Sequence, residues 1–211
     1  MPADDFDTLA ARADLGRLLA ACFYEPGPEF AEERLFDSLL AAATTADPAL
    51  AAPAQRLGEA FAAADLQELR VDYTRLFLGP IDAAAQPYGS VWLEQRQGLM
   101  QDSTLAVIDL YAAGGFEIAE DFRDLPDHIA AELEFLYLLL FRRAEAVQAG
   151  DAEAATRAVE LRRRLLAEHL ARWVPPFAAA MHEGAQTGFY RALAELTDRF
   201  IALEAGAADS A

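Results

Sequence analysis

From Leu133 to Phe141 the chain is apolar apart from the Glu134 carboxyl and the Tyr137 hydroxyl, and this run follows Pro126-Asp127-His128-Ile129-Ala130-Ala131-Glu132. A helix that is apolar nearly all the way round has to be wrapped by other helices, so this one stretch demands a bundle. Its start carries helix signals: Asp124 as N-cap, Pro126 in the first turn, and Asp127 where the helix dipole favours negative charge. His128 and Glu132 fall on one face at i, i+4 spacing. A buried helix that opens with three titratable groups is a candidate functional site.

The rest of the chain supplies the wrapping. Helical periodicity places helices over about 5–24, 29–43, 47–64 and 66–77, the last with a stripe of Leu66, Leu69, Tyr73, Leu76 and Phe77 stopped by Gly79-Pro80. A loop over 79–89 precedes Ser90, a cap for Val91-Trp92-Leu93. Asp102-Ser103-Thr104 caps a helix closed by Gly114-Gly115. Residues 151–172 form a helix whose Glu153–Arg157, Glu160–Arg164 and Glu168–Arg172 pairs mark a solvated face. Trp173-Val174-Pro175-Pro176 breaks the chain, and Phe189, Leu193, Leu196, Phe200 and Leu203 mark a last core stripe before a tail that frays from Gly206. No strand alternation or internal repeat is apparent. The predicted fold is an all-α, single-domain bundle of roughly eight to ten helices. Its N-terminal helices span about 5–113, a connecting segment 114–125, and the C-terminal helices 126–205.

Composition excludes several functions. The 211 residues carry a net charge of −18, and all 17 basic residues are arginine, which argues against nucleic acid. The same acidity suits a basic partner. No apolar run is long enough to span a membrane, and the acidic start lacks a basic signal region, so a cytoplasmic protein is expected. Cys22, alone, reads as a small core residue. There is no phosphate-binding loop and no nucleophile elbow. Neither His169 nor His182 has the carboxylate spacing of a di-iron motif, which leaves Asp127, His128 and Glu132 as the only residues for a helical metal-dependent carboxylate enzyme.

A binding surface remains. Tyr73, Leu76 and Phe77 lead into Gly79-Pro80, and Pro87, Tyr88 and Trp92 flank the return. These residues could line an apolar peptide groove, with Asp127, His128 and Glu132 as acceptors for a cationic peptide at its rim. They could equally pack the core beneath the loop.

Four blocks in order carry a resemblance. Tyr73-Thr74-Arg75-Leu76-Phe77-Leu78-Gly79-Pro80, Pro87-Tyr88-Gly89-Ser90-Val91-Trp92-Leu93, Asp102-Ser103-Thr104-Leu105, and Pro126-Asp127-His128 with Glu132-Leu133 resemble the TorD/DmsD/NarJ family of molybdoenzyme maturation chaperones. The Gly89–Leu93 and Asp102–Leu105 wording leans towards the DmsD-like branch, although tyrosines stand at 73 and 88 where that branch often has tryptophan, and Gln101 where it has glycine. The resemblance implies an all-α cytoplasmic protein with no turnover, no cofactor and no metal. It implies a partner, the twin-arginine signal peptide of a molybdenum-containing oxidoreductase precursor, held from export until its cofactor is inserted. It is compatible with a monomer or a domain-swapped dimer. By position, Tyr73, Leu76, Phe77, Pro87, Tyr88, Trp92, Pro126, Asp127, His128 and Glu132 are the signal-binding candidates.

Overall fold

The computed structural model describes residues 6–79, 83–94, 101–119 and 122–208. Pro80, residue 5 and the acidic pair Glu120 and Asp121 therefore lie outside the described residues. In chain order the helices are α1 (Phe6–Ala21), α2 (Glu29–Glu32), α3 (Leu35–Ala46), α4 (Pro48–Ala63) and α5 (Leu66–Tyr73), which runs into a π turn at Thr74–Leu78. Then come α6 (Gly89–Leu93), α7 (Asp102–Gly114), α8 (Ile129–Ala149) and α9 (Ala152–Leu165). A second π turn, Leu166–Leu170, joins α9 to α10 (Ala171–Gly184), and α11 (Gly188–Ala208) follows. No strand occurs among the described residues, as the all-α expectation required.

The apolar run forms α8, and α1 and α9 pack along it. Leu133, Phe135, Leu136, Leu139 and Leu140 are buried, and Leu15, Leu18 and Leu19 of α1 meet them in one continuous core. The two backbones run close at Gly16, where a Cβ would lie in ordinary contact, 3.7 Å from the Leu133 carbonyl and the Tyr137 nitrogen. The enclosure is incomplete on one flank, where Tyr137 and Leu138 are half-buried and Phe141 is exposed.

Short acidic side chains fix the starts of α4, α5 and α9. Asp47 accepts from Ala49 N at 2.7 Å, Asp65 from Gln67 N at 2.8 Å, and Asp151 from Ala154 N at 3.0 Å. Gly115 (φ 61°) and Gly150 (φ 70°) end α7 and α8 in the left-handed conformation that only glycine adopts without strain.

Several boundaries depart from expectation. α8 begins at Ile129, capped by His128 rather than Asp124, with Nδ1 accepting from Ala130 N at 3.2 Å. α10 passes through Pro175 and Pro176 instead of breaking there. Both rings face solvent, so the carbonyls they leave unpaired can be served by water, and the π turn upstream has already re-routed the ladder. α11 continues past Gly206 because Ala208 is packed into the core. On α9, Arg164 pairs forward with Glu168 at 3.2 Å, and Arg157 donates to the Ala113 carbonyl at the end of α7.

Two buried polar joints hold the bundle, and periodicity announces neither. Asp72 on α5, 1% exposed, accepts from Gln186 N (2.9 Å), Thr187 N (2.7 Å) and Thr187 Oγ1 (2.9 Å), so it caps α11 from across the molecule. Its neighbour Arg75 bonds Asp72 at 3.0 Å and the Gly184 carbonyl that ends α10. The second joint sets Glu204 of α11 against Arg162 of α9 (2.7 Å) and Arg12 of α1 (3.7 Å), all three buried.

Candidate functional site

The first block folds inward. Leu76 is 0% exposed and Phe77 4%, and Phe77 packs edge-on against Phe23, Tyr73 and Tyr190 at centroid distances of 6.2, 5.2 and 5.6 Å. Tyr73 is also buried, its hydroxyl donating to the Phe23 carbonyl at 3.4 Å. Burial, then the negative charge of Asp124 and Glu25, pushes that hydroxyl up to about 12, so it stays protonated and a donor. These three residues are core and not an open groove wall. The reason lies in the backbone: the wide π turn rotates this face of the helix onto α10 and α11, and Ala85 N, itself buried, returns to the Leu76 carbonyl at 2.9 Å.

The second and fourth blocks are zipped together. Gly89 N donates to the Asp127 carbonyl at 2.8 Å and Ile129 N to the Pro87 carbonyl at 2.9 Å, an isolated antiparallel bridge centred on Tyr88 and His128. Asp127 completes the joint from its side chain, Oδ2 accepting from Ser90 N at 2.8 Å, so it caps α6 rather than α8. Ser90, expected as a cap, lies inside α6 and is buried. Gly89 is required by close approach: a Cβ would stand 3.0 Å from Glu132 Oε1 and 3.2 Å from Trp173 Nε1. Trp173 Nε1 donates to Glu132 Oε2 at 3.3 Å.

The three titratable groups are therefore inside, not at a rim. Asp127 and Glu132 are fully buried and His128 is 3% exposed. Burial drives the Glu132 carboxyl well above its ordinary range, which the Trp173 bond only partly opposes, so its neutral form is favoured. Burial likewise lowers His128 to about 4, against the pull of Asp124 and Asp127, leaving a neutral ring whose Nδ1 is free to cap α8. A neutral acid and a neutral imidazole attract no cation directly. Ser90 Oγ, Asp127 Oδ1 and Glu132 Oε1 have no hydrogen-bond partner in this pocket of polar atoms. A metal-dependent enzyme would need these groups converged and free, yet Asp127 and His128 already cap helices, and no three His, Cys, Asp or Glu converge as ligands among the described residues.

What reaches the surface is a shelf built on the zipped segments. Tyr88, half-buried, lays its ring 5.5 Å from that of His128 and donates to Asp124 Oδ1 at 2.7 Å. Trp92, also half-buried, donates to the Gln86 carbonyl at 2.8 Å. Pro126 is held by Tyr111, whose hydroxyl bonds its carbonyl at 2.8 Å, and Pro87 is buried. Next to the shelf, Tyr24 after α1 donates to Glu134 Oε1 at 3.0 Å, and Phe122 packs 6.2 Å from the His128 ring. Burial and then Glu134 raise the Tyr24 hydroxyl; burial and then Asp124 raise that of Tyr88. Asp124, Tyr24, Phe122 and Glu134 were not among the candidates from sequence. Tertiary contact identifies them: Tyr24 with Glu134 across 110 positions, Asp124 with Tyr88 across 36, and Phe122 with His128.

The nitrate reductase delta subunit family is matched by residues 44–179, well over half of the chain. The chaperone protein TorD of Salmonella schwarzengrund (strain CVM19633) is 31% identical over 167 residues, covering 77% of this chain and 73% of that protein. TorD of Salmonella agona (strain SL483) matches with the same identity and coverage. The chain belongs to this chaperone family. It is a molybdoenzyme maturation chaperone and not an enzyme. A crystal structure of a candidate redox enzyme maturation protein from Archaeoglobus fulgidus superposes on the chaperone with a TM-score of 0.54 and 20% identity, over 92% of this chain and 93% of that one, and shares its fold. These relatives carry the TorD name and give no support to the DmsD-like branch. No helix of the described chaperone is long and apolar enough to cross a membrane.

Proposed function

We propose that this chaperone binds the twin-arginine leader of a molybdenum-containing oxidoreductase precursor in the cytoplasm and holds it from export until the cofactor is in place. The observation that carries the reading is the shelf: half-buried Tyr88, Trp92 and Pro126 beside an exposed carboxylate, Asp124, that Tyr88 itself fastens at 2.7 Å. A leader of this class joins a basic segment to an apolar one. The shelf offers both surfaces side by side, with a net charge of −18 to speed encounter. Apolar burial at about 25 cal/mol per Å² supplies most of the affinity, and carboxylates fix the basic end in register.

In this reading the sequence candidates divide by depth. Tyr88, Trp92 and Pro126 touch the leader. Pro87, Asp127, His128 and Glu132 act beneath them, fixing the zipped segments so that the shelf is preformed and little ordering cost falls on binding, whereas Tyr73, Leu76 and Phe77 serve the core. The chain acts as one unit, because the shelf takes Tyr88 and Trp92 from one half of it and Asp124 and Pro126 from the other.

The test is capture of a precursor. A tagged chaperone should retain a molybdoenzyme precursor carrying its leader and lose it when the leader is deleted. Equal retention of the leaderless precursor would place the main contact on the mature domain and overturn the reading.

A further inference from the structure

Beside the shelf lies a cavity of about 340 Å³ between the turn after α1, residues 116–119 with Phe122, and the start of α8. Tyr24, Phe116, Ile118 and Phe122 form its walls, with Glu117 and Glu134 as its carboxylates. The walls are fixed. Phe116 packs against Tyr111 at 4.9 Å and Phe135 at 5.5 Å, and Phe122 against His128. One oxygen of Glu134 is occupied by the Tyr24 hydroxyl, which orients the carboxylate and leaves Oε2 unengaged. Among the described residues no arginine pairs with Glu117, Glu134 or Asp124, although Arg123 adjoins the last in sequence; elsewhere Asp72 and Glu168 each hold one arginine, and Glu204 and Glu195 two.

We propose that this cavity is the subsite for one arginine side chain of the leader; the inference rests on the leader-binding reading and assigns that reading its charged end. Complementarity selects the occupant. A planar, weakly hydrated guanidinium can stack on aromatic walls while presenting paired N–H donors to a carboxylate edge, and an ammonium cannot do both. The cavity lies near the shelf: Phe122 on its wall packs 6.2 Å from the His128 ring on which Tyr88 also rests, and Asp124 lies two residues on. Consecutive residues of an extended peptide point to opposite faces, so a single cavity takes one arginine of the pair and not its neighbour.

The experiment is a double-mutant cycle by calorimetry. Native protein and Glu134→Gln are each titrated with a synthetic leader carrying both arginines, with either arginine replaced by glutamine, and with both replaced by lysine. Glutamine keeps the acceptor for Tyr24 and the size of the side chain, so the fold is preserved. For the two-arginine leader, Glu134→Gln should weaken binding about tenfold, the scale of a hydrogen bond to a charged group. One single-glutamine leader should lose the same factor on native protein and then be indifferent to the substitution. The other should remain sensitive. The double-lysine leader should bind native protein more weakly than the arginine leader. If Glu134→Gln leaves the two-arginine leader unaffected, or weakens every leader alike, the subsite is overturned while leader binding stands. If native protein binds none of the peptides, both readings fall.

Discussion

Glu204→Ala is expected to lower the unfolding free energy by about 3–5 kcal/mol, the cost of leaving buried charge uncompensated. Glu204 is fully buried between Arg162, 1% exposed, and Arg12, and it joins α11 to α9 and α1. Removing the carboxylate leaves Arg162 Nη1 without the acceptor it holds at 2.7 Å, in a place where water does not reach. Urea denaturation read by far-ultraviolet circular dichroism measures the loss as a lower midpoint with an unchanged slope. A loss below about 1 kcal/mol would show that the guanidinium groups find other acceptors and that the joint is not what fastens α11.

The second large effect concerns Leu76, which the family resemblance makes a signal-binding candidate and the structure places in the core. Leu76→Ala should cost about 2–5 kcal/mol of stability, because the side chain is 0% exposed and its tightly packed neighbours cannot close the void. The fraction that remains folded should bind leader with unchanged affinity. Equilibrium denaturation gives the first quantity, and titration well below the midpoint gives the second. A stable variant with weakened leader binding would return Leu76 to the surface of the site and would require the 73–78 turn to open on binding.

The contrast between Leu76 and Tyr88 shows what the sequence makes legible. The all-helical class, the central α8 and most helix ends follow from local chemistry: apolar periodicity, short acidic caps at Asp47, Asp65 and Asp151, and glycines at 115 and 150 where φ is positive. The blocks around the site are legible too, but their depth is not. A stripe such as Leu69, Tyr73, Leu76 and Phe77 reads the same whether it faces a groove or another helix, and here the π turn and α10 decide for the core. Nor does spacing show that Asp127 would leave its own helix to cap α6, which takes His128 and Glu132 inside with it. Asp72 and Glu204 escape for the same reason: their partners lie over 40 residues away, and a lone acid on a helix otherwise reads as a solvated one.

At the centre of the proposed function is Tyr88 receiving the leader on a preformed aromatic shelf. Calorimetric titration of a synthetic twin-arginine leader into native protein and Tyr88→Ala tests it most directly, since Tyr88 is half-buried and its removal spares the core. Native protein should bind, and Tyr88→Ala, with an unaltered melting curve, should bind about tenfold or more weakly, through lost contact area and the freed Asp124 carboxylate. Equal affinity of the two proteins for the leader would contradict it.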